Sequence, residues 1–482
     1  MSATPESVLH DGAAAIAAAV REGRMSPRSV VEASFARAEE VDAGPNGLNC
    51  ILSSDLNSSL HAVESAPVGG ALAGVPFVLK DNIATTTLNT SCGSKILEGY
   101  VSPYDSTVAR KLRAAGAILV GKGNMDEFAM GSSTEFSAFG PSRNPIDRTR
   151  VPGGSSGGSA ASVAAGIVPI AFGSETGGSV RQPAAFCGVV GVKPTYGRIS
   201  RFGLVAFASS LDNIGVFGRT VDDAARAMEV VSGDDALHDA TSARLAAPEL
   251  RTDSRDLAGV VIGKPKEYFP ASLTPAMRAH CERAIDALRA RGAEIRDVSL
   301  PHTDLALPVY YIIAPAECSA NLARFDGVRY GLRMEGEGLR GMYEATRSTG
   351  FGTEVTRRIL LGTYVLSAGY YDAYYRKAQD VRALIAKDFT DVWASGVHAL
   401  FTPTTAAPAF TIGAISDPYE MYLCDLFTVS ANLAEVPAIS VPIGRIDGLP
   451  VGGQVIAPKF DERMMFRISY ALESELGQAA HT

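Results

Sequence analysis

The spacing of apolar and polar positions switches along the chain between a helical pattern and a strand-like pattern. Helices and strands are therefore predicted to follow one another over most of its length. In the first half, apolar residues at helical spacing predict helices over residues 11–21, 26–42, 106–117 and 221–231, and near 125–130. The second of these helices has Ser26 as its cap and Pro27 at its first position. Short apolar runs predict strands over residues 74–80, 117–122, 167–172, 187–194 and 203–208.

The second half repeats this alternation. Strands are predicted over residues 259–265, 294–300, 398–403, 437–443 and 452–458. Helices are predicted over residues 275–290, 305–324, 369–394 and 421–433, and from residue 461 onward. Helices that alternate with strands are typical of an α/β fold with a largely parallel sheet.

No linker, repeat or low-complexity segment interrupts the pattern, so we expect a single domain over residues 1–482. Residues 239–256 are polar and rich in turn formers, which indicates a surface excursion rather than a domain boundary. Residues 327–352 are rich in glycine and mixed charges. That segment is interpreted as a lid, a docking surface or a plain exposed loop.

Composition and charge narrow the classes of function that the chain can have. The chain has 44 basic and 52 acidic side chains, a net charge of −8 and a pI near 5.5, which argues against a broad nucleic-acid-binding face. Any contact with RNA is therefore expected through a partner. The six cysteines are scattered with no Cys-x-x-Cys pair, so we expect reduced thiols and no metal site. No basic segment precedes an apolar core at the N-terminus, and the long uncharged run is broken by glycine, serine and Pro169, so we expect a soluble, cytoplasmic protein with no membrane association.

Candidate chemistry concentrates in the glycine- and serine-rich stretch from Gly153 to Pro183, which has no ionisable side chain before Glu175. Glycines let the backbone approach a ligand closely with its N–H groups pointing inward, which suits an anion or an oxyanion. Ser155 and Ser179 lie in its two glycine clusters, one as a candidate nucleophile and the other as its proton relay. A mobile linker is disfavoured, because a run of small residues at helical spacing and an apolar strand separate the two clusters.

A serine nucleophile in this region has no local imidazole base, because no histidine lies between His61 and His238. Residues 153–157 match the G-x-S-x-G nucleophile elbow, but that pattern needs a preceding strand, and residues 144–152 have the composition of a loop. A buried, neutral lysine is the alternative base, and Lys80 follows an apolar strand. Lys80 could instead extend to solvent or pair with Asp81.

The runs GGSSGGSAASVAAG and GSETGGSVRQPAAFCGVVGVKPTYGR resemble the signature of the amidase signature family. The resemblance implies a large mixed, mainly parallel central sheet covered by helices on both faces, with the core signature over about 74–220. It also implies a catalytic triad of Ser179 as nucleophile, Ser155 held by a cis peptide, and Lys80. Glu175 stands where this family usually has Asp, Gly123 where Thr is common and Phe136 where Asn is usual.

Further runs, among them GNMDEFAMGSSTE, ISRFGLVAFASSLD, YYDAYYRKAQDVR and FTPTTAAPAF, are similar to the branch of that family formed by glutamine-hydrolysing subunits of tRNA-dependent amidotransferases. This similarity implies glutamine as substrate, with Arg358 on its α-carboxylate and Asp425 on its α-amino group, as the charges suit. Tyr310 is the implied third contact, with Tyr311 as the alternative.

In this branch the backbone N–H groups of Thr176, Gly177, Gly178 and Ser179 are implied as the oxyanion hole. The resemblance further implies a heterotrimer with B and C subunits, in which the B subunit uses ATP and Mg²⁺ and receives the mischarged tRNA. No G-x-x-x-x-G-K-[ST] loop occurs here, which agrees with ATP on the partner. Two alternatives stay open: a free-standing amidase of the same family, and a non-catalytic module that uses the glycine loop to bind phosphate.

Overall fold

The computed structural model describes residues 4–477, and its strands form one mixed sheet of 11 strands. The strands are β1 (Ile51–Ser53), β2 (Pro76–Lys80), β3 (Ile118–Gly123), β4 (Ile170–Glu175), β5 (Val190–Lys193), β6 (Asn213–Gly218), β7 (Val261–Pro265), β8 (Glu294–Val298), β9 (Ala399–Pro403), β10 (Ala438–Ile446) and β11 (Leu449–Ile456).

The α-helices precede, separate and follow these strands. They are α1 (Pro5–Asp11), α2 (Ala13–Arg21), α3 (Pro27–Asp42), α4 (Leu56–Ser65), α5 (Thr107–Ala114), α6 (Gly157–Ala164), α7 (Arg181–Cys187), α8 (Val221–Val231), α9 (Pro275–Ala290), α10 (Ala306–Asn321), α11 (Gly338–Gly350), α12 (Thr353–Val365), α13 (Lys377–Ala394), α14 (Pro418–Tyr422), α15 (Val429–Leu433) and α16 (Glu462–Leu476). Ser26 caps α3 by accepting a hydrogen bond from the Ser29 N–H, with Pro27 at the first position as predicted.

The order across the sheet is β1-β3-β2-β4-β6-β5-β10-β11-β9-β7-β8. Parallel pairs lie in two groups, β3-β2-β4 on one side and β9-β7-β8 on the other. The strands between the two groups pair antiparallel, as does β1 with β3. The α/β class and the large mixed sheet are confirmed, but "mainly parallel" holds only within these two groups. One of the antiparallel pairs has a local cause, since a short turn joins β10 to β11 and allows only antiparallel pairing.

Hydrophobic cores cover both faces of the sheet. Successive side chains of a strand point to opposite faces, and in β2 Phe77 and Leu79 belong to the larger core whereas Val78 belongs to a second core. The second core also contains the small apolar residues Ala160, Ala161 and Val163 of α6. The uncharged run between the glycine clusters is therefore packed structure, and the linker interpretation is wrong.

Several local predictions need correction. Residues 203–208 form no strand, because they cross the end of β2, where the Val205 N–H bonds to the Asn82 carbonyl. The strand of this region is β6. The predicted helix near 125–130 is a single 3-10 turn, and the glycine-rich segment 327–352 contains all of α11. The sequence pattern did not indicate β1, α4, α7 or α12. No helix within residues 4–477 is long and apolar enough to cross a membrane.

Candidate active site

The candidate site lies where the three neighbouring parallel strands β3, β2 and β4 end. Lys80 is the last residue of β2 and pairs with Gly123, the last residue of β3, while Glu175 ends β4. Since carboxyl ends of parallel strands meet at one edge of the sheet, the loops that follow converge there. Those loops begin at residues 81, 124 and 176.

Lys80 is fully buried at this edge. Its Nζ donates a hydrogen bond of 2.7 Å to the Ser155 Oγ and one of 3.2 Å to the Ser174 carbonyl. The two alternative interpretations of Lys80, extension to solvent and a pair with Asp81, are both wrong. Lys80 does not reach solvent, and the lysine that pairs with Asp81 is Lys122, at 3.4 Å.

Burial gives Lys80 the protonation behaviour expected of a base. Removing the ammonium group from water lowers the pKa of Lys80 to about 7, although nearby acidic groups, Asp126 first, act in the opposite direction. A large fraction of Lys80 is therefore neutral near pH 7 and can accept a proton.

The Gly154–Ser155 peptide is cis, as predicted. The Gly154 N–H donates to the Gln182 Oε1 at 3.0 Å, and the Ser156 N–H donates to the Ser179 carbonyl at 3.2 Å. These bonds join the segment of Ser155 to the segment of Ser179. The structure thus brings both glycine clusters and Lys80 together, with Ser179 6% exposed.

The loop of Ser179 is held by a buried ion pair that the sequence did not indicate. Glu175 Oε2 accepts the backbone N–H groups of Val180 and Arg181, at 3.0 and 3.1 Å, and Oε1 binds the Arg181 guanidinium. Burial acts to raise the pKa of Glu175, but Arg181 outweighs it and holds that pKa below its usual value. Arg181 also donates to the Gln454 side chain at 2.8 Å and to the Asn432 side chain at 2.6 Å.

Two side chains predicted to contact substrate lie against the glycines of this loop. A Cβ added to Gly177 would be 3.0 Å from the Tyr310 ring, and one added to Gly178 would be 2.6 Å from Asp425 Oδ1. The Tyr310 hydroxyl shares a 2.9 Å hydrogen bond with the Thr176 Oγ1. Glycine at 177 and 178 therefore leaves room for Tyr310 and Asp425 to approach the backbone.

Asp425 is buried with one oxygen available. Oδ2 accepts a 3.1 Å hydrogen bond from the Ser132 hydroxyl, whereas Oδ1 is buried without a hydrogen-bond partner in the described residues. Burial raises the pKa of Asp425 to about 7, against the lowering influence of Ser132 and Arg358. An unpartnered buried carboxylate oxygen is suited to an incoming ammonium group.

Arg358 is 3% exposed and sits among aromatic rings. Its guanidinium carbon lies 5.4 Å from the Tyr311 ring centre and 5.3 Å from that of Tyr422, and its Nε donates to Glu354 at 2.8 Å. Burial acts to lower the pKa of Arg358, but the surrounding tyrosines and Glu354 outweigh it, so the guanidinium stays charged.

The structure separates the two tyrosine candidates. Tyr310 reaches the glycine loop through Thr176, while the Tyr311 hydroxyl is buried without a hydrogen-bond partner in the part of the chain that is described. Tyr311 stacks on Tyr422 with ring centres 3.8 Å apart. Tyr310 thus belongs with the loop of Ser179, and Tyr311 with Arg358.

Sequence reasoning missed Asp126, Arg181, Gln182 and Ser132. Two of them have partners distant in sequence, since Arg181 bonds to Gln454 and Ser132 to Asp425. One available signal was an acidic residue soon after a buried strand, which Asp126 shares with Asp81.

Residues 29–466 match the model of the family described as Amidase, so the chain belongs to the amidase family. Within it, the chain is 52% identical over 466 residues to the A subunit of glutamyl-tRNA(Gln) amidotransferase from Koribacter versatilis, covering 95% of this chain and 97% of the relative. It is 57% identical over 407 residues to the protein of the same name from Carboxydothermus hydrogenoformans, covering 84% of each.

Solved structures agree. The crystal structure of the A subunit of glutamyl-tRNA(Gln) amidotransferase from Thermotoga maritima superposes with a TM-score of 0.78 at 44% identity, covering 93% of this chain and 91% of that one. 6-Aminohexanoate cyclic dimer hydrolase complexed with substrate gives a TM-score of 0.83 at 28% identity, covering 98% of each chain. The fold is thus shared with proteins named as an amidotransferase subunit and as a cyclic dimer hydrolase.

Proposed function

We propose that this chain is the glutamine-hydrolysing A subunit of a glutamyl-tRNA(Gln) amidotransferase. The observation that carries the proposal is a pair of buried opposite charges, Asp425 beside the loop of Ser179 and Arg358 close enough to lower the pKa of Asp425. A free amino acid carries one carboxylate and one ammonium group, so such a pair recognises it at both ends. The similarity to amidotransferase A subunits over most of the chain supports glutamine as that amino acid.

Glutamine binds with its α-carboxylate on Arg358 and its α-ammonium on the available oxygen of Asp425. Tyr310 lies against Gly177 and Asp425 against Gly178, so both side chains border the loop of Ser179. The side-chain amide of glutamine then extends toward Ser179, where the glycines leave the backbone accessible.

Hydrolysis begins when the Ser179 Oγ attacks the amide carbon. The hydroxyl proton of Ser179 passes to the Ser155 Oγ while the Ser155 proton passes to neutral Lys80, whose hydrogen bond to Ser155 supports this route. The backbone N–H groups of residues 176–179 stabilise the oxyanion, and such donors are worth about 3–4 kcal/mol each in comparable sites. The proton on Lys80 then returns through Ser155 to the leaving nitrogen, and ammonia departs.

The resulting acyl-enzyme is an ester of Ser179 with the side chain of glutamate. Water attacks it and gives a proton to the same Ser155–Lys80 pair, which returns a proton to Ser179 as glutamate leaves. No step requires a metal or a cofactor in this chain.

The ammonia passes to a B subunit, which uses ATP and Mg²⁺ to activate the glutamate on Glu-tRNA(Gln) and form Gln-tRNA(Gln), with Asp-tRNA(Asn) as a second acceptor. A C subunit completes a cytoplasmic heterotrimer. The names of the relatives support this placement, since each is the A subunit of an amidotransferase.

The test is glutamine hydrolysis by the chain alone and then with its B and C subunits, ATP and mischarged tRNA. We expect slow hydrolysis by the isolated chain and a strong increase in the complex, with a covalent adduct on Ser179 by mass spectrometry. Ser179→Ala should abolish hydrolysis with an unchanged circular dichroism spectrum. An adduct on Ser155 or Cys187 would contradict the assignment, and full activity of the isolated chain on an unrelated amide would favour a free-standing amidase.

A further inference from the structure

Asp126 is a buried carboxylate whose side-chain partners are backbone N–H groups. Oδ2 accepts from Thr134 at 2.9 Å and from Ser133 at 3.3 Å, and Oδ1 accepts from Phe136 at 3.1 Å. The residue is fully buried. One side chain thereby fixes the backbone of the segment 131–136.

Asp126 also contacts the segment of Ser155. Its own N–H donates to the Ser155 carbonyl at 3.3 Å. A Cβ on Gly154 would collide with Asp126 Oδ2, and a Cβ on Gly131 would be 2.7 Å from Asp126 Oδ1. Glycine on both sides leaves a space that fits this carboxylate.

The segment 131–136 joins the two halves of the site. The Thr134 Oγ1 donates to the Gly153 carbonyl at 2.7 Å and accepts the Gly157 N–H at 3.0 Å. The Ser132 hydroxyl donates to Asp425. Displacement of this segment would therefore move both the Ser155 turn and the carboxylate proposed to bind substrate.

Asp126 and Lys80 both bond to Ser155, Asp126 through its N–H to the carbonyl and Lys80 through Nζ to Oγ, so the two charged groups lie in the same part of the site. The acidic groups that act on Lys80 are Asp126, Asp212, Cys92 and Glu175. Glu175 is neutralised by Arg181, and burial raises the pKa of Cys92 well above its usual value. Asp212 accepts the Phe207 N–H at 3.0 Å, and burial raises its pKa to about 7.

Asp126 differs from these three groups. Burial raises the pKa of Asp126 to about 6, against its N–H donors and Lys80, and among the four groups Asp126 has the largest influence on the pKa of Lys80. It has no cationic side chain hydrogen-bonded to it within residues 4–477. It is therefore the carboxylate most able to stabilise a proton that arrives on Lys80.

We propose that Asp126 is a positioning residue of the catalytic site, which holds the Ser155 turn through the segment 131–136 and stabilises Lys80 in its protonated form. The proposal rests on the catalytic roles proposed for Lys80, Ser155 and Ser179. During attack by Ser179 the negative charge of Asp126 balances the new positive charge on Lys80. Before attack, while Lys80 is neutral, Asp126 keeps the Ser155 hydroxyl in place.

The test compares Asp126→Asn with the matched variant Glu127→Gln. Glu127 is the next residue and is also buried, but its oxygens bind Ser94 and the Gly352 N–H instead. The probe is phenylmethanesulfonyl fluoride, which sulfonylates an activated serine with loss of fluoride, and the rate of Ser179 labelling is measured from pH 5.5 to 9. This readout needs neither glutamine nor partner subunits.

In the native protein we expect the labelling rate to fall below about pH 7, as Lys80 becomes protonated. In Asp126→Asn the midpoint of this fall should move about one pH unit lower, because Lys80 loses a stabilising charge. The rate on the plateau should drop roughly ten-fold, because the Ser155 turn is less well held. Glu127→Gln should leave the midpoint in place. A lower rate with an unmoved midpoint would overturn the proposal, since a merely structural role predicts that result.

A measurement on the native protein covers the case in which Asp126→Asn does not fold. Amide hydrogen exchange of residues 133–136, corrected for the intrinsic effect of pH, should accelerate as pH falls through about 6 and Asp126 takes up a proton. Unchanged protection down to pH 5 would contradict the proposal. Failure of the native protein to label at Ser179 would contradict the catalytic assignment itself, whereas labelling with an unmoved midpoint contradicts only the role of Asp126.

Discussion

Gly178 and Asp425 lie so close that a single methyl group would not fit between them. A Cβ on residue 178 would be 2.6 Å from Asp425 Oδ1 and closer still to the Thr428 hydroxyl. Real Cβ atoms essentially never come within 3.0 Å of such neighbours. The close packing of these two residues links the loop that carries Ser179 to the carboxylate proposed to bind the α-amino group of glutamine.

Gly178→Ala should therefore damage both chemistry and binding. Its methyl group would displace the loop or Asp425, and displacement of one oxyanion donor lowers kcat by roughly 100-fold or more. The matched variant is Gly177→Ala, whose methyl group meets the edge of the Tyr310 ring at 3.0 to 3.2 Å and needs a smaller shift. Steady-state glutamine hydrolysis by the assembled complex measures both variants. Equal losses would show that Asp425 is not the critical neighbour.

The sequence predicts the parts of this site that carry a local signal. Lys80 is found because a charged residue ends an apolar strand, and Ser155 and Ser179 because glycines surround them. Arg358 and Asp425 come only from the family resemblance. The sequence does not predict Arg181 or Asp126, because their roles depend on residues brought together by folding. These are Gln454 for Arg181 and the turn of Ser155 for Asp126.

The secondary-structure elements also differ in whether a local sequence signal predicts them. Helices with strong amphipathic patterns, such as α9 over Pro275–Ala290, are predicted with their observed bounds. The apolar run at 203–208 is predicted as a strand because a short apolar run has the same sequence pattern whether it packs as a buried loop or pairs in a sheet. The Phe207 ring is buried, and its centre lies 5.7 Å from the Arg358 guanidinium carbon. Phe207 therefore packs beside the predicted substrate contact and not in the sheet.

Lys80→Ala and Ser155→Ala should each reduce glutamine hydrolysis by about 1,000-fold or more, and the double variant should be little worse than either single variant. The reason is that the two residues transfer one proton in sequence, so losing either interrupts the same route. Single-turnover rates with the assembled complex provide the measurement. Losses that multiply in the double variant would mean that Lys80 and Ser155 act separately.

Glu175→Gln should destabilise the fold by about 3 kcal/mol or more, because it leaves the Arg181 guanidinium buried without its counter-charge. It should also reduce activity in the molecules that stay folded, since Glu175 holds the loop of Ser179 through two backbone N–H groups. The matched control is Glu462→Gln, which breaks the buried pair with Arg198 away from the site. Urea unfolding and active-site titration separate the two effects. Equal specific activity per titrated site in both variants would contradict a catalytic role for the Glu175 contacts.

The affinity for glutamine should weaken as pH falls through about 7. In the empty site burial raises the pKa of Asp425 to about 7, so below that pH the group is protonated and cannot pair with the α-ammonium of glutamine. Calorimetry on Ser179→Ala, which binds without turnover, should show about ten-fold weaker binding at pH 6 than at pH 8, with proton release near neutrality. Asp425→Asn should bind weakly at both pH values. The glutamine analogue that lacks the α-amino group should show no pH dependence, because it leaves Asp425 unengaged. If Asp425→Asn kept the full pH dependence, the titrating group would be Lys80 or another residue, and the assignment of Asp425 to the α-amino group would fail.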